Sequence, residues 1–497
     1  MKKPAARKEF QLEETSIQAI HGALRRSTLT VRGLVAAYLK RIEMHDQQGS
    51  TLNAVISVNA KALAQAAALD RAHKASGRLQ GPLHGIPVLV KDNIDTTEVP
   101  TSYGSVAFAN HVPPQDATVI AKLRAAGAII LGKTTLPDFA TSWWAYSSRS
   151  GETRNPYDTS RDPGGSSAGT GAAIAANFAT VGLGTDCGGS IRVPSSHCGL
   201  VGIRSTPGVI SRAGSSPLVS WQDTVGPMAR NVADAVAVFE AIAGHDPRDS
   251  LSVNHFIARA PRRYAETLDK DGLKRTRLGL ITNALGSGEA AAPVNAVIRE
   301  AVTALEAAGA TVVEIEVPDL MRQLVETSLY VNCSKSDLNL FLMGQPNAPV
   351  RRLQALYESR QYHPRLDLLE ACMAGPEAPE HDPQYYRRLA AREAFQRQLM
   401  NLMAGSNLDA FVFPDVQVEP PTRKELDTGK WTTLTYPTNT LMASQAWLPA
   451  MTVPAGFTAR GLPVGLEFMG RPYDEPTLFR LGYAFEQATR HRRAPAL

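Results

Sequence analysis

Residues 121–135 read AKLRAAGAIILGKTT, and two incompatible readings compete for them. The letters from Gly127 to Thr134 fit the phosphate-loop pattern G-x4-G-K-T, whose centre has to be an open loop with its N–H groups turned toward a phosphate. Here the centre is Ala128-Ile129-Ile130-Leu131, an apolar run that belongs inside a sheet. The stretch therefore reads as the end of a helix over 117–126, a stop at Gly127 and a buried strand over 128–131. Nucleotide binding is set aside, and an α/β unit takes its place.

The same alternation extends in both directions. Ile86 to Val90 in GIPVLVKD is strand-like, and a helix of small residues over 168–176 leads to a short strand over 181–184. TRLGLIT from Thr276 reads as a strand and PVNAVIREAVTALEAAG as a helix stopped at Gly309. VVEIEVP then places Val313, Ile315 and Val317 on one side of a strand. LDAFVFP and GLPVGLEFMG are strand-like again, before a helix from Glu475 to Gln487. This order predicts one α/β domain, a central mixed and twisted sheet covered by helices on both faces.

Two regions depart from it. Behind an N-cap at Thr30, the residues Val31, Leu34, Val35, Tyr38, Leu39 and Ile42 share one helical face, and KALAQAAALDRAHK continues as helix from Lys61. Residues 320–405 lack the alternation and predict a helical insertion or cap. The expected division is a helical region over 1–75, a catalytic core over 76–319, the insertion over 320–405 and a return to the core sheet over 406–497.

Composition narrows the function classes. With 497 residues, 43% hydrophobic and 20% charged, the chain is an ordinary globular protein with ample core. The net charge of +5 is scattered and aromatic residues make up 6%, so no basic stripe interleaved with aromatics points to nucleic acid. No apolar run reaches about 18 residues, and MKKPAARKEFQLEETS has no apolar segment behind its charges, so neither membrane insertion nor export is expected. Cys187, Cys198, Cys333 and Cys372 form no C-x-x-C pair, which argues against zinc and against a disulfide framework. A reducing, cytoplasmic setting without metal or cofactor is the expectation.

Chemistry concentrates between Pro163 and Gly199, where PGGSS carries Ser166 and CGGSI carries Ser190. Two glycines before a serine let the backbone turn several N–H groups toward one point. Gly165-Ser-Ser-Ala-Gly169 also fits the G-x-S-x-G elbow centred on Ser167, but the elbow follows a strand and the preceding SRDPG is a turn. A serine nucleophile needs a base, and Lys91 closes the apolar run GIPVLVK. Burial beside Val88, Leu89 and Val90 can lower its pKa from about 10.4 by roughly 3 units, which corresponds to about 4 kcal/mol. Lysine in place of histidine is an established partner for serine.

The blocks GPLHGIPVLVKDNIDT, DATVIAKLRAAGAIILGKTT, TRNPYDTSRDPGGSSAG and GLGTDCGGSIRVPSSHCGLVGIRSTPGVISRAG, with AMTVPAGFTARGLPVGLEFMG near the end, resemble the amidase signature family. The resemblance is dense over residues 30–235 and looser beyond. It implies Lys91 as the base, Ser166 as a bridging serine behind a cis Gly165–Ser166 peptide, and Ser190 as the nucleophile. It further implies an oxyanion hole of backbone N–H groups from Cys187, Gly188, Gly189 and Ser190. A substrate pocket would be lined by Ser142, Trp143 and Trp144 of TSWWAYSS, with one tryptophan facing inward if the segment is extended. Asp186 and Arg192 match motif residues and are read as supports of the loop. Ala168 stands where the family often has glycine, and His197 where an apolar residue is frequent, which leaves pocket details open.

The implied reaction is hydrolysis of a carboxylic amide, with aryl amides, anilides and carbamates among the candidates, to an acid plus an amine or ammonia through an acyl-enzyme on Ser190. The implied enzyme stands alone, with a homodimer as the candidate assembly, and its partner is the small-molecule amide, with no nucleic acid and no membrane. The alternative is the glutaminase subunit of a transfer-RNA-dependent amidotransferase, whose typical stretch after GKT reads like MDEFAMGSS where this chain has LPDFATSWW.

Overall fold

Thirteen strands occur among the described residues, which in this computed structural model are 10–259 and 263–497. The charged N-terminal stretch through residue 9 lies outside them. In chain order the strands are β1 (Val55–Val58), β2 (Pro87–Lys91), β3 (Ile129–Thr134), the short pair β4 (Tyr146–Ser147) and β5 (Gly151–Glu152), β6 (Val181–Asp186), β7 (Val201–Arg204), β8 (Thr224–Ala229), β9 (Arg277–Ile281), β10 (Thr311–Ile315), β11 (Ala410–Pro414), β12 (Ala450–Phe457) and β13 (Pro463–Met469). Strands β4 and β5 form a separate hairpin, and the other eleven make one sheet in the order β1-β3-β2-β6-β8-β7-β12-β13-β11-β9-β10. Strands β3, β2 and β6 are parallel, as are β11, β9 and β10, and the strands joining the two groups alternate in direction. The sheet is mixed.

Every residue of β2, β3, β6, β8, β11 and β13 is buried, so both faces of the sheet are covered. Helices Val232–Ile242, Ala292–Ala307 and Glu475–Thr489 share one apolar cluster with β6, β8 and β12. Each fully buried Val, Leu, Ile or Phe there contributes roughly 1.5–3 kcal/mol. Helix stops fall where the sequence signals them: Gly127 and Gly309 adopt φ of +90° and +100° just beyond their helices. The helix Val31–His45 is capped by the Thr30 side chain, which accepts from Gly33 N–H.

Strand β3 runs on through Gly132, Lys133 and Thr134, so the phosphate-loop letters lie in a buried strand. Lys133 is fully buried and ion-paired with Asp92 at 2.9 Å, and it also donates to the Ile94 carbonyl and Thr101 Oγ1. Strands β7 and β8 are not among the strands read from the sequence; in β8 Gly226-Pro227 interrupts the apolar run that marks a strand. Residues 320–405 contain helices Leu320–Glu326, Tyr330–Gly344, Leu353–Glu358, Asp367–Met373 and Tyr385–Gly405. Their Leu338, Leu342, Leu356 and Leu369 pack in a second apolar cluster that also takes in Phe139, Trp143 and Trp144.

Candidate active site

Parallel neighbours in a sheet end at the same edge, and the crevice beyond their carboxyl ends is where α/β proteins bind ligands. Strands β2 and β6 are such neighbours, with Val90 opposite Leu183, and they end on Lys91 and on Thr185-Asp186. Lys91 is fully buried, and its Nζ lies 2.7 Å from Ser166 Oγ, 2.8 Å from Thr185 Oγ1 and 3.4 Å from the Thr185 carbonyl. Asn93 Nδ2 donates to the same Thr185 hydroxyl at 3.0 Å and to the Ser216 carbonyl at 3.1 Å, which holds Thr185 in place.

Burial pushes the Lys91 ammonium down to about 7, with the more distant charges of Asp223 and Asp186 opposing the shift. The contrast with Lys133 on the adjacent strand is instructive, because Lys133 has Asp92 and Lys91 has hydroxyls and a carbonyl. A neutral amine keeps two N–H groups and a lone pair, so Lys91 can hold Thr185 with its protons and accept one from Ser166.

Ser166 follows a cis Gly165–Ser166 peptide bond and precedes the helix Ala168–Ala175. Its neighbour Ser167 is fully buried, with its hydroxyl donating to the Thr185 carbonyl at 3.3 Å, and the residues leading into it are not a strand. The elbow reading therefore has neither its strand nor an accessible serine. Ser167 N–H instead donates to the Ser190 carbonyl at 3.1 Å and ties the two Gly-Gly-Ser segments together.

The loop after β6 is held carbonyl by carbonyl. Arg204 Nη1 donates to the Asp186 carbonyl (2.6 Å), Gln222 Nε2 to Cys187 (2.7 Å), Thr440 Oγ1 to Gly188 (2.7 Å) and Val193 N–H to Gly189 (2.7 Å). Across a trans peptide the N–H points opposite to the C=O. Each anchored carbonyl therefore aims the next N–H, and among the described residues none of the N–H groups of Cys187, Gly188, Gly189 and Ser190 donates to a protein acceptor. Gly189 has φ of +137°, and a Cβ there would collide with the Thr440 side chain, so glycine is required on both counts. Four unsatisfied donors beside Ser190 are suited to a developing oxyanion.

Asp186 anchors this loop electrostatically. Its carboxylate accepts from Arg192 Nη2 and Arg204 Nη1, each at 3.0 Å, and from Ile191 N–H at 3.1 Å. Burial alone would raise its pKa, but the Arg192 and Arg204 guanidiniums hold it well below the usual carboxylate range. Arg192 also pairs with Glu467 of β13 at 2.6 Å. The expected loop supports thus sit in a fully buried charge cluster. His197 is buried as well, and burial pushes it down to about 3; it is a neutral ring whose Nε2 meets the Tyr436 hydroxyl at 3.1 Å, not a base for Ser190.

Ser190, Cys187 and Gly188 open into a cavity of about 490 Å³. Ser142 and Trp143 line it, and Trp143 Nε1 donates to the Thr433 carbonyl at 3.0 Å. Trp144 does not line it. Phe139 and Ala140 have φ of +51° and +62°, and Trp144 N–H bonds to Ser142 Oγ at 2.9 Å, so the segment curls and turns Trp144 edge-on against Tyr436. Much of the remaining wall is apolar, including Leu218, Leu324, Leu368 and Leu441, and Tyr330 stands beside Gly188. Among the described residues Arg388 is the one charged residue of the lining, and no carboxylate lines it. Among the same residues no group of three or more His, Cys, Asp or Glu is placed to hold a metal ion, and no helix is long and apolar enough to cross a membrane.

The family profile described as Amidase matches residues 33–479. The chain belongs to the amidase signature family. Among its relatives is a glutamyl-tRNA(Gln) amidotransferase subunit from Thermosynechococcus vestitus, 35% identical over 492 residues that cover 97% of this chain and 99% of that protein. The native peptide amidase from Stenotrophomonas maltophilia superposes with a TM-score of 0.83 at 37% identity, covering 97% of this chain and 99% of that one. The corresponding glutamyl-tRNA(Gln) amidotransferase subunit from Thermotoga maritima gives a TM-score of 0.76 at 25% identity, covering 98% of each chain. As an amidase signature protein, the chain is an enzyme acting on amide C–N bonds, and the Ser-Ser-Lys triad is typical of its family.

Proposed function

We propose that this amidase works as a stand-alone hydrolase of carboxylic amides with an apolar acyl part, using Ser190 as nucleophile and Lys91 as base through Ser166. Neutral Lys91 takes the proton of Ser166, Ser166 takes that of Ser190, and Ser190 Oγ attacks the amide carbonyl. The oxyanion forms among the N–H groups of Cys187, Gly188, Gly189 and Ser190. One such donor is worth on the order of 10²- to 10³-fold in rate. The proton returns along the same relay to the leaving nitrogen, the C–N bond breaks, and the acyl group stays on Ser190. Water then attacks the ester with the same base, releasing the acid and restoring the serine.

The observation that carries the substrate reading is the chemistry of the cavity wall, which among the described residues is largely apolar, with a single cation, Arg388, and no carboxylate. Free glutamine would bring its α-ammonium into that cavity without an anionic partner, an arrangement that burial penalises heavily. Identity to the amidotransferase subunits and to the peptide amidase is nearly equal, so overall similarity does not choose between them. The wall favours aryl or other apolar acyl groups, among which amides of apolar peptides are included by likeness to the peptide amidase. The reading takes the enzyme to act on its small-molecule amide without a partner subunit, nucleic acid or membrane, in a cytoplasmic setting.

The test is a panel of aryl amides, anilides, aliphatic amides, peptide amides and glutamine offered to the purified chain, with acid and amine or ammonia release measured. Turnover of apolar amides with glutamine untouched is the expected result. Glutamine hydrolysis that appears with copurifying partner subunits would establish the amidotransferase alternative instead.

A further inference from the structure

Gln222 is fully buried just before β8, and it bridges two parts of the molecule that the sequence keeps far apart. Its Nε2 donates to the Cys187 carbonyl at 2.7 Å and to the Tyr330 hydroxyl at 3.0 Å, while its Oε1 accepts from Arg392 Nη1 at 2.6 Å. The direction of this amide is dictated by its partner. Guanidinium groups only donate, so the oxygen must face Arg392 and the nitrogen is left for Cys187.

Arg392 lies on the helix Tyr385–Gly405 and is 4% exposed. It pairs with no carboxylate among the described residues; its remaining contacts are the Thr327 and Ser444 carbonyls at 3.2 and 3.3 Å. Burial without an anion pushes its pKa down to about 10. A buried cation costs stability unless its donors are used, and its shortest bond goes to Gln222.

We propose that Gln222 is a positioning residue of the oxyanion loop and that Arg392, from the helical insertion, locks its amide in the orientation the loop needs. The proposal rests on the reading that Ser190 is acylated at this loop. Of the peptides flanking Ser190, the Cys187–Gly188 unit is the one whose carbonyl is held by a side chain that can turn over. A Gln222 amide rotated by half a turn would set oxygen against the Cys187 carbonyl, repel it and swing Gly188 N–H off its line. Arg392 prevents that rotation because it would then face an NH₂ group. The insertion therefore does more than wall the cavity; it is wired to the catalytic loop.

The experiment compares Gln222→Glu, Gln222→Met, Arg392→Met and Arg392→Lys with the wild type. Two rates are read: labelling of Ser190 by a fluorophosphonate, followed by mass spectrometry, and kcat and KM on an amide the wild type hydrolyses. Gln222→Glu keeps an acceptor for Arg392, so its melting temperature should hold, yet it presents only oxygen to Cys187. Labelling and kcat should fall about 10- to 100-fold, somewhat less than the loss of an oxyanion donor, with KM unchanged. Arg392→Met should fall similarly, and Arg392→Lys should recover most of the rate. A folded Gln222→Glu protein that labels within about twofold of wild type would overturn the proposal, as would losses that follow melting temperature across the set. Wild-type protein that is not labelled at Ser190 at all would instead bring down the nucleophile reading, and this proposal with it.

Discussion

From Thr185 to Arg192 no residue with a side chain is more than 6% exposed, whereas Met321, Val325 and Leu434 on the lip of the same cavity are 70%, 66% and 64% exposed. The loop is built from polar groups that are held at every carbonyl and from charges that are paired in the dry interior. The lip is built from apolar side chains that face outward to solvent. Buried charges tolerate no missing partner, so the loop admits one arrangement. Exposed apolar residues scarcely affect stability, so the lip is free to suit the acyl group that enters. In the proposed reading, chemistry and specificity thereby fall on parts of the molecule with different tolerance for change.

The largest effect belongs to Ser190, the proposed nucleophile. Ser190→Ala should lower kcat/KM by roughly 10⁴- to 10⁶-fold with the circular-dichroism spectrum unchanged, and Lys91→Ala should come close to it. Full activity in Ser190→Ala together with loss in Ser167→Ala would shift the chemistry to the elbow serine and undo the account of the loop. Next in size is Asp186→Asn, which leaves Arg192 and Arg204 without the carboxylate they share. Urea unfolding should show a loss of about 3–5 kcal/mol; a loss under about 1 kcal/mol would mean the loop is less tightly specified than its contacts suggest.

The pH profile tests the base. As the proposed base, Lys91 must be neutral to act, and burial pushes its ammonium down to about 7. Below that value kcat/KM should fall about tenfold per pH unit, and above it the rate should level off. A profile flat from about pH 5 to 9 would remove Lys91 from the role of base. The smallest effects belong to the cavity. Trp143→Ala should reduce the preference for aryl over short aliphatic amides by about 10-fold, since truncating one wall of an apolar pocket is worth roughly 1–3 kcal/mol. Trp144→Phe should leave that preference alone. Met321→Ser and Leu434→Ser should stay within about 0.5 kcal/mol of wild-type stability while raising KM a few-fold for bulky apolar amides alone.

Much of the frame could be read directly from the chain. Strands β2, β3 and β11 are built on apolar runs, and the helix stops at Gly127 and Gly309 carry their own signal. Strand β8 escapes such a reading because Gly226-Pro227 interrupts it, and the places of β7 and β8 are decided by pairing with β12 and β6. Whether TSWWAYSS is extended is left open by the sequence; the left-handed backbone at Phe139 and Ala140 just before it curls the chain, and Trp144 faces Tyr436 rather than the cavity. At the site, Lys91, Ser166 and Ser190 stand in recognisable blocks. Asn93, Gln222, Tyr330, Thr440 and the role of Thr185 have no local mark, since a single polar residue in an ordinary segment looks like any other.

Local sequence was enough to establish that the Gly-Gly-Ser segment ending at Ser190 can bend sharply, that an apolar strand delivers a lysine, and that Ala128–Leu131 is a buried strand and no phosphate loop, although the strand continues through the letters GKT. Those features follow from periodicity and backbone freedom within a few residues. It took the assembled fold to leave Lys91 among hydroxyls while Lys133 gained Asp92, and to bring a donor to each loop carbonyl. Those donors come from far along the chain: Gln222 is 35 residues from Cys187, and Thr440 is 252 from Gly188. Hydrogen-bond partners at such separations are chosen by the order of strands in the sheet, and that order is settled by packing the whole core at once.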